Sequence, residues 1–184
     1  MKKAMIDYTK NEKHDHFDTP AYAMMPLLPY IRPEWTVWEP TDTHGNSQIA
    51  GALRRHGCKV LSTCKGSFDF LTGDLLPAML EADAIVTNPP YTLKDEFIAR
   101  CYDIGKPWAM LMPLTALEGI GRGKMFRENG VELLVLDRRV EFTGGSCWFA
   151  TSWFASGILP RQIIFAELDK KMRGRDGSGH PSLF

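Results

Sequence analysis

The sequence predicts an α/β protein built on a mostly parallel central sheet flanked by helices. Three observations carry that expectation. Short apolar runs alternate with segments of helical period along the whole chain, the pattern of strands joined by crossover helices. Trp108-Ala109-Met110-Leu111-Met112-Pro113 is apolar at every position, as a strand buried on both faces must be. Ala84-Ile85-Val86-Thr87 is a strand that stops at Asn88-Pro89-Pro90-Tyr91. The prolines cannot donate to a ladder, so the strand ends in a stiff turn, where open α/β sheets hold their ligands.

With 184 residues the chain is long enough for one domain with a full core. Its 44% hydrophobic and 24% charged residues are those of an ordinary globular protein. The 22 basic and 22 acidic residues cancel, so binding of a nucleic acid has to rest on a local patch. Cys58, Cys64, Cys101 and Cys147 form no Cys-x-x-Cys pair, which argues against a zinc site and a disulfide framework and fits a reducing cytoplasm. Neither a charged-then-apolar leader nor an apolar run of about 18 residues is present, so a cytoplasmic protein with no membrane segment is expected.

Residues 1–16 are polar and aperiodic and read as a loosely held arm. His14 and His16, with Asp15 and Asp18, lack the further ligands a metal needs, so no metal site is expected. Asp18 or Thr19 caps a helix that takes Pro20 in its first turn and carries Tyr22, Met25, Leu28 and Ile31 on one side. Trp35 to Trp38 is the first strand, ending at Glu39-Pro40. A Thr41 to Asn46 loop leads into a helix with Ile49, Ala50 and Leu53, closed by Gly57.

Lys59 to Ser62 is the second strand and Leu75 to Leu80 a short helix. Thr92 to Ile104 is a helix with Leu93, Phe97, Ile98 and Cys101 on one face, ending near Gly105. The glycines 119, 121 and 123 do not make a phosphate loop, because the spacing is wrong and Met125 replaces the metal-binding hydroxyl. They predict a mobile loop whose Arg122 and Lys124 reach a phosphate backbone. Met125 to Asn129 is a helical turn, Glu132 to Asp137 a strand, and Cys147–Phe154 with Gln162–Phe165 a closing hairpin. Residues 169–184 form a basic tail too poor in apolar residues to fold, which leaves 17–168 as the single domain.

The chemistry concentrates at Asn88-Pro89-Pro90-Tyr91. The Asn88 side-chain oxygen and the Pro89 carbonyl together accept the two hydrogens of one NH2 group, and the Tyr91 ring offers a face to a planar molecule. The motif, after an apolar strand, resembles the catalytic motif of S-adenosylmethionine-dependent amino-methyltransferases, above all those acting on the exocyclic amine of adenine. Phe17-x-Thr19-Pro20, strand-Glu39-Pro40-loop-helix and Asp69-Phe70-Leu71 precede it in the order that family has.

The resemblance implies a Rossmann-like methyltransferase fold with a C-terminal antiparallel hairpin, and S-adenosylmethionine as cofactor. On it, Phe17, Thr19 and Pro20 wrap the cofactor's methionine end, Glu39 and Pro40 receive its amino end, and Gly45 is the second loop glycine. Asp69 accepts from the adenine amino group and Phe70 lies against its ring. Asn88, Pro89, Pro90 and Tyr91 are catalytic, and either Phe142 or Trp148 forms the second face of the pocket for an extruded base.

Two positions depart from the family pattern. Thr43 stands where the first loop glycine would be, and no carboxylate follows Leu61 for the ribose hydroxyls, leaving Ser62 or Thr63 to substitute. The implied substrate is adenine in DNA; RNA, a protein glutamine amide, or an inactive cofactor-binding module are the alternatives. The chain has no room for a separate recognition domain, so specificity is relaxed, or comes from a partner protein or a second copy, or the target is single-stranded or RNA.

Overall fold

The computed structural model describes residues 18–43, 45–142 and 149–169. The arm, with Phe17 and the His14–His16 pair, the segment holding Trp148 and the tail from residue 170 lie outside the described residues.

The strands are β1 (Thr36–Glu39), β2 (Lys59–Ser62), β3 (Ala84–Thr87), β4 (Trp108–Pro113), β5 (Glu132–Leu136), β6 (Thr151–Ser156) and β7 (Ile163–Ala166). The helices are α1 (Gln48–His56), α2 (Pro77–Leu80), α3 (Lys94–Ile104) and α4 (Ile120–Asn129). All seven strands belong to one sheet in the order β2-β1-β3-β4-β6-β5-β7. Every pairing is parallel except those of β6, which runs antiparallel to both β4 and β5. The predicted α/β class with a mostly parallel, helix-flanked sheet is therefore the observed one.

Period-two alternation sorts the strand residues onto two cores. Val37, Val86, Leu111 and Trp153 face α1 and the N-terminal segment. Their neighbours Trp38, Ile85, Met110 and Phe154 face α2, α3 and α4. Burial on both faces explains why β4 is apolar throughout. Gly57, at φ 111°, and Gly105, at φ 72°, end α1 and α3 in the left-handed conformation that favours glycine.

Three expectations are corrected. The helix from Pro20 is instead two 3-10 turns, Ala21–Met24 and Leu28–Tyr30, because Pro26 and Pro29 cannot supply the N–H groups a continuous α-helix needs. Its inward residues are Tyr22, Ala23, Met24, Leu27 and Ile31, whereas Met25 is 42% exposed.

The glycine-rich loop is also helical. Gly119, at φ 143°, turns the chain, and the Arg122 guanidinium donates to the carbonyls of Ala116 and Glu118 and pairs with Asp95 at the start of α3. That clamp outweighs the poor helix propensity of Gly121 and Gly123.

Lastly, β6 and β7 do not form the closing hairpin. β6 inserts between β4 and β5, and β7 pairs parallel with β5 on its other side. The crossing is held by the Glu132 carboxylate, which accepts from the backbone N–H groups of Gly157, Ile158 and Leu159 at 3.0, 3.0 and 2.7 Å. A carboxylate at the first residue of β5 thus anchors the connection that passes beneath it.

Candidate active site

The carboxyl ends of β1 and β3 lie side by side and are tied together by one buried carboxylate. Glu39, the last residue of β1, is 1% exposed. Its Oε1 accepts from the Thr41 backbone N–H at 2.9 Å, from the Thr41 hydroxyl at 2.8 Å and from the Thr87 hydroxyl at 2.7 Å. Its Oε2 accepts from the Ser47 hydroxyl at 3.1 Å. Thr87 is the residue before Asn88, and the Thr41 hydroxyl also reaches the Asn88 carbonyl at 3.5 Å. Glu39 therefore fixes the β1 loop and the Asn88 turn relative to one another. Burial raises its pKa, and the bonds from Thr87, Thr41 and Ser47 pull it back down in part.

Glu39, expected as the acceptor for a cofactor's amino end, already has a donor on each oxygen from within the protein. These donors converge on a carboxylate hidden from solvent and hold the loop in shape. Ser47 links it to α1, because the same hydroxyl accepts from the Ala50 N–H at 3.3 Å as the helix cap. Pro40 is buried behind it. Gly45, at φ 70°, sits in open space, so the loop needs glycine there for its conformation rather than for room. Thr43, where a glycine was expected, is exposed and donates to the Thr41 carbonyl at 3.3 Å.

Asn88 is half-buried, Pro89 buried, and Pro90 and Tyr91 half-buried at the start of the 3-10 turn Tyr91–Leu93. Lys94 holds that turn through a 3.0 Å bond to the Tyr91 carbonyl. The aromatic neighbour of Tyr91 is Phe149, edge-on with ring centroids 5.7 Å apart. Phe142, one of the two aromatics expected to face a substrate, is 3% exposed and packs in the core with Tyr22, Leu136 and Trp153. Trp148 is not among the described residues. Nothing local in the sequence marks Phe149 as a neighbour of Tyr91, because the two rings come from distant parts of the chain.

Of the residues expected to hold a cofactor, Thr19 is 6% exposed and its hydroxyl has no hydrogen-bond partner among the described residues, while Pro20 precedes the first 3-10 turn. Asp69 turns its Oδ1 to the Leu71 N–H at 2.9 Å. Phe70 is 3% exposed, stacked on Phe97 at 4.9 Å and edge-on to Trp38 at 5.1 Å. Its ring belongs to the core, which corrects its assignment to a ligand. Phe68, half-buried and 5.8 Å from Trp38, is the nearby ring that keeps an accessible side. The segment is pinned by Arg100 of α3, whose guanidinium donates to the carbonyls of Phe70 and Gly73 at 3.1 and 2.7 Å. Arg122, engaged with Asp95 and only 13% exposed in its side chain, is not available to a phosphate, a further correction; Lys124 is 70% exposed.

At the end of β2, the Cys64 thiol is drawn below its ordinary pKa by the Ser67 hydroxyl and by backbone N–H groups. Burial pushes Cys58 up and Cys101 well up. At pH 8 iodoacetamide is expected to alkylate Cys64 at least about tenfold faster than either, followed by peptide mass spectrometry. Cys58 or Cys101 reacting first would contradict the arrangement of this loop.

Among the described residues no cluster of His, Cys, Asp or Glu could hold a metal ion, and no helix is long and apolar enough to cross a membrane.

No family model and no curated protein sequence matches the chain. Among solved structures the fold is similar to a protein from Vibrio vulnificus YJ016 provisionally described as a modification subunit of a type I restriction enzyme. The two share 13% identity and a TM-score of 0.51 over 90% of this chain and 50% of that one, so this chain spans half that subunit's length. Looser likenesses are to a protein described as a predicted O-methyltransferase from Agrobacterium tumefaciens (13% identity, TM-score 0.43, 80% of this chain and 84% of that one) and to one provisionally described as a class I S-adenosylmethionine-dependent methyltransferase from Listeria monocytogenes (13%, 0.42, 91% and 72%). At these identities the likeness is one of fold alone: a mostly parallel α/β sheet flanked by helices.

Proposed function

We propose that this chain is an S-adenosylmethionine-dependent methyltransferase acting on an exocyclic amino group, that of adenine in DNA. The observation that carries the reading is the juxtaposition of the Asn88-Pro89-Pro90-Tyr91 turn with the β1 loop, both at carboxyl strand ends and both tied to Glu39. The residues fit the cofactor: the buried hydroxyl of Thr19 and one oxygen of the Asp42 carboxylate have no partner among the described residues, and the β1 loop turns at Gly45.

When bound, the cofactor supplies an activated methyl on sulfur. The chain's own residues place the nucleophile. An exocyclic amine is weakly nucleophilic because its lone pair is delocalised into the ring. Hydrogen bonds from it to the Asn88 oxygen and the Pro89 carbonyl favour the rehybridised, positively charged nitrogen over the planar one. Tyr91, braced by Phe149, stacks on the base and fixes the angle of attack. The rigidity given by two prolines matters because a misplaced acceptor stabilises the planar amine equally well. A base in duplex DNA has to be extruded first, at a few kcal/mol.

The test is transfer of a tritiated methyl from S-adenosylmethionine to unmethylated duplex DNA, single-stranded DNA, RNA and a protein extract, with digestion of labelled nucleic acid to nucleosides. The expected label is in N6-methyladenine from DNA. Label confined to RNA or to glutamine in protein would overturn the DNA assignment while keeping the chemistry, and label in none would contradict the reading.

A further inference from the structure

The second strand ends without a carboxylate, and each of its neutral substitutes already accepts one hydrogen bond from within the protein. The Ser62 hydroxyl accepts from Arg54 at 3.2 Å and the Thr63 hydroxyl accepts from the Trp38 indole N–H at 2.8 Å. A buried carboxylate stands beside them on a different strand's loop. Asp42 is 5% exposed, and its backbone N–H donates to the Thr63 carbonyl at 2.9 Å, just as the Thr63 N–H donates to the Glu39 carbonyl at 2.9 Å. These bonds carry the β1–β2 ladder past the strands and set Asp42 over the carboxyl end of β2.

The two oxygens of Asp42 differ. Oδ1 accepts from the Ser47 N–H at 3.0 Å, which fixes the side chain, while Oδ2 is buried with no hydrogen-bond partner among the described residues. A carboxylate oxygen shielded from water and unpaired in the protein is costly unless a ligand brings a donor to it. Glu39, by contrast, has its oxygens filled from within the protein. The Asp42 charge is also felt at the Cys64 thiol, where it opposes the larger downward pull of Ser67, so the carboxylate lies near the turn that follows β2.

We infer that Asp42 is the carboxylate that receives the ribose hydroxyls of the adenosyl ligand, supplied from the β1 loop in place of one at the end of β2. In doubly wound folds a carboxylate at the end of the second strand serves sugar hydroxyls, and Asp42 occupies that place in space while coming from another part of the chain. The inference rests on the proposed use of S-adenosylmethionine and deepens it.

The test is calorimetric titration of the wild-type protein and Asp42→Asn with S-adenosylhomocysteine and with its 2′,3′-dideoxyribose analogue. Asparagine keeps an oxygen for the Ser47 N–H, and thermal melting checks that the variant is folded. Wild type is expected to bind the hydroxylated ligand roughly ten- to a hundredfold more tightly than the dideoxy analogue, the range for losing charge-assisted bonds. Asp42→Asn is expected to bind both alike, near the wild-type affinity for the analogue. Should the variant fail to fold, the wild-type ligand pair alone decides: equal affinities overturn the inference. A folded variant that still discriminates as wild type does so as well, while leaving the cofactor reading intact. Wild type binding neither ligand would overturn both.

Discussion

Asn88→Ala is expected to lower the methyl-transfer rate by at least about 10²–10³-fold, the cost of removing one preorganised acceptor from a transition state, while S-adenosylmethionine binds within about twofold of wild type. The split follows from where the residue sits. Asn88 follows the last residue of β3, and the Thr87 hydroxyl provides the link to Glu39 and the β1 loop. Alanine therefore removes an acceptor aimed at the amine without cutting the clasp that shapes the loop. Single-turnover transfer and equilibrium titration measure the two quantities separately. Equal losses in both would mean that Asn88 supports the loop rather than the reacting nitrogen.

Glu39→Ala is expected to act through the fold. It strands the Thr41 N–H in a buried site and takes the acceptor away from the hydroxyls of Thr41, Thr87 and Ser47. The hydroxyls can turn to one another, as the 2.7 Å Thr41–Thr87 contact already allows, so the expected loss is about 2–4 kcal/mol rather than the sum over four bonds. Cofactor affinity should fall by tenfold or more on the order expected when a binding loop loses its scaffold.

Glu39→Gln is expected to be milder, because the amide oxygen keeps the Thr41 N–H while the amide nitrogen donates to Ser47. The pair of variants also has a pH signature. A buried carboxyl whose pKa is raised above 4.5 binds its proton more tightly in the folded state. Its contribution to stability is greatest below pH 4.5 and falls as pH rises through the raised value. Wild-type stability should thus decline relative to Glu39→Gln as pH rises from about 4.5, read from chemical denaturation at a series of pH values. A wild type that gains stability relative to Glu39→Gln over that range would mean that the hydrogen bonds, not burial, dominate at Glu39.

The strand ends were legible because proline and glycine leave marks that local pattern reading detects. Asn88-Pro89 had to end β3, and Gly57 had to end α1. What was not legible depends on contacts distant in sequence. A carboxylate three residues after Glu39 carries no local sign that it, and not Glu39, keeps an unpartnered oxygen. Thr41 and Ser47 reach both Glu39 oxygens from nearby in the chain, and what distance hides is Thr87, which arrives from β3 and ties Glu39 to the Asn88 turn. Phe68 and Phe70 both neighbour Asp69, and only the meeting of Phe70 with Phe97 of α3 shows which ring belongs to the core.

Arg122 looked like a free cation because Asp95 lies 27 residues away. The placement of β6 between β4 and β5 was equally hidden, since any two successive strands with a short connection read as a hairpin. Glu132, whose carboxylate collects the N–H groups of the connection, is a single side chain with a decisive topological effect.

The most direct test of the account is a calorimetric titration of the purified full chain with S-adenosylmethionine, since every functional assignment made for Thr19, Asp42 and the Glu39 loop presupposes that ligand. The account predicts saturable binding of one cofactor per chain, weakened by Glu39→Ala and retained in Asn88→Ala. No heat of binding at cofactor concentrations of about 1 mM, the weak end of ordinary cofactor affinities, would contradict it.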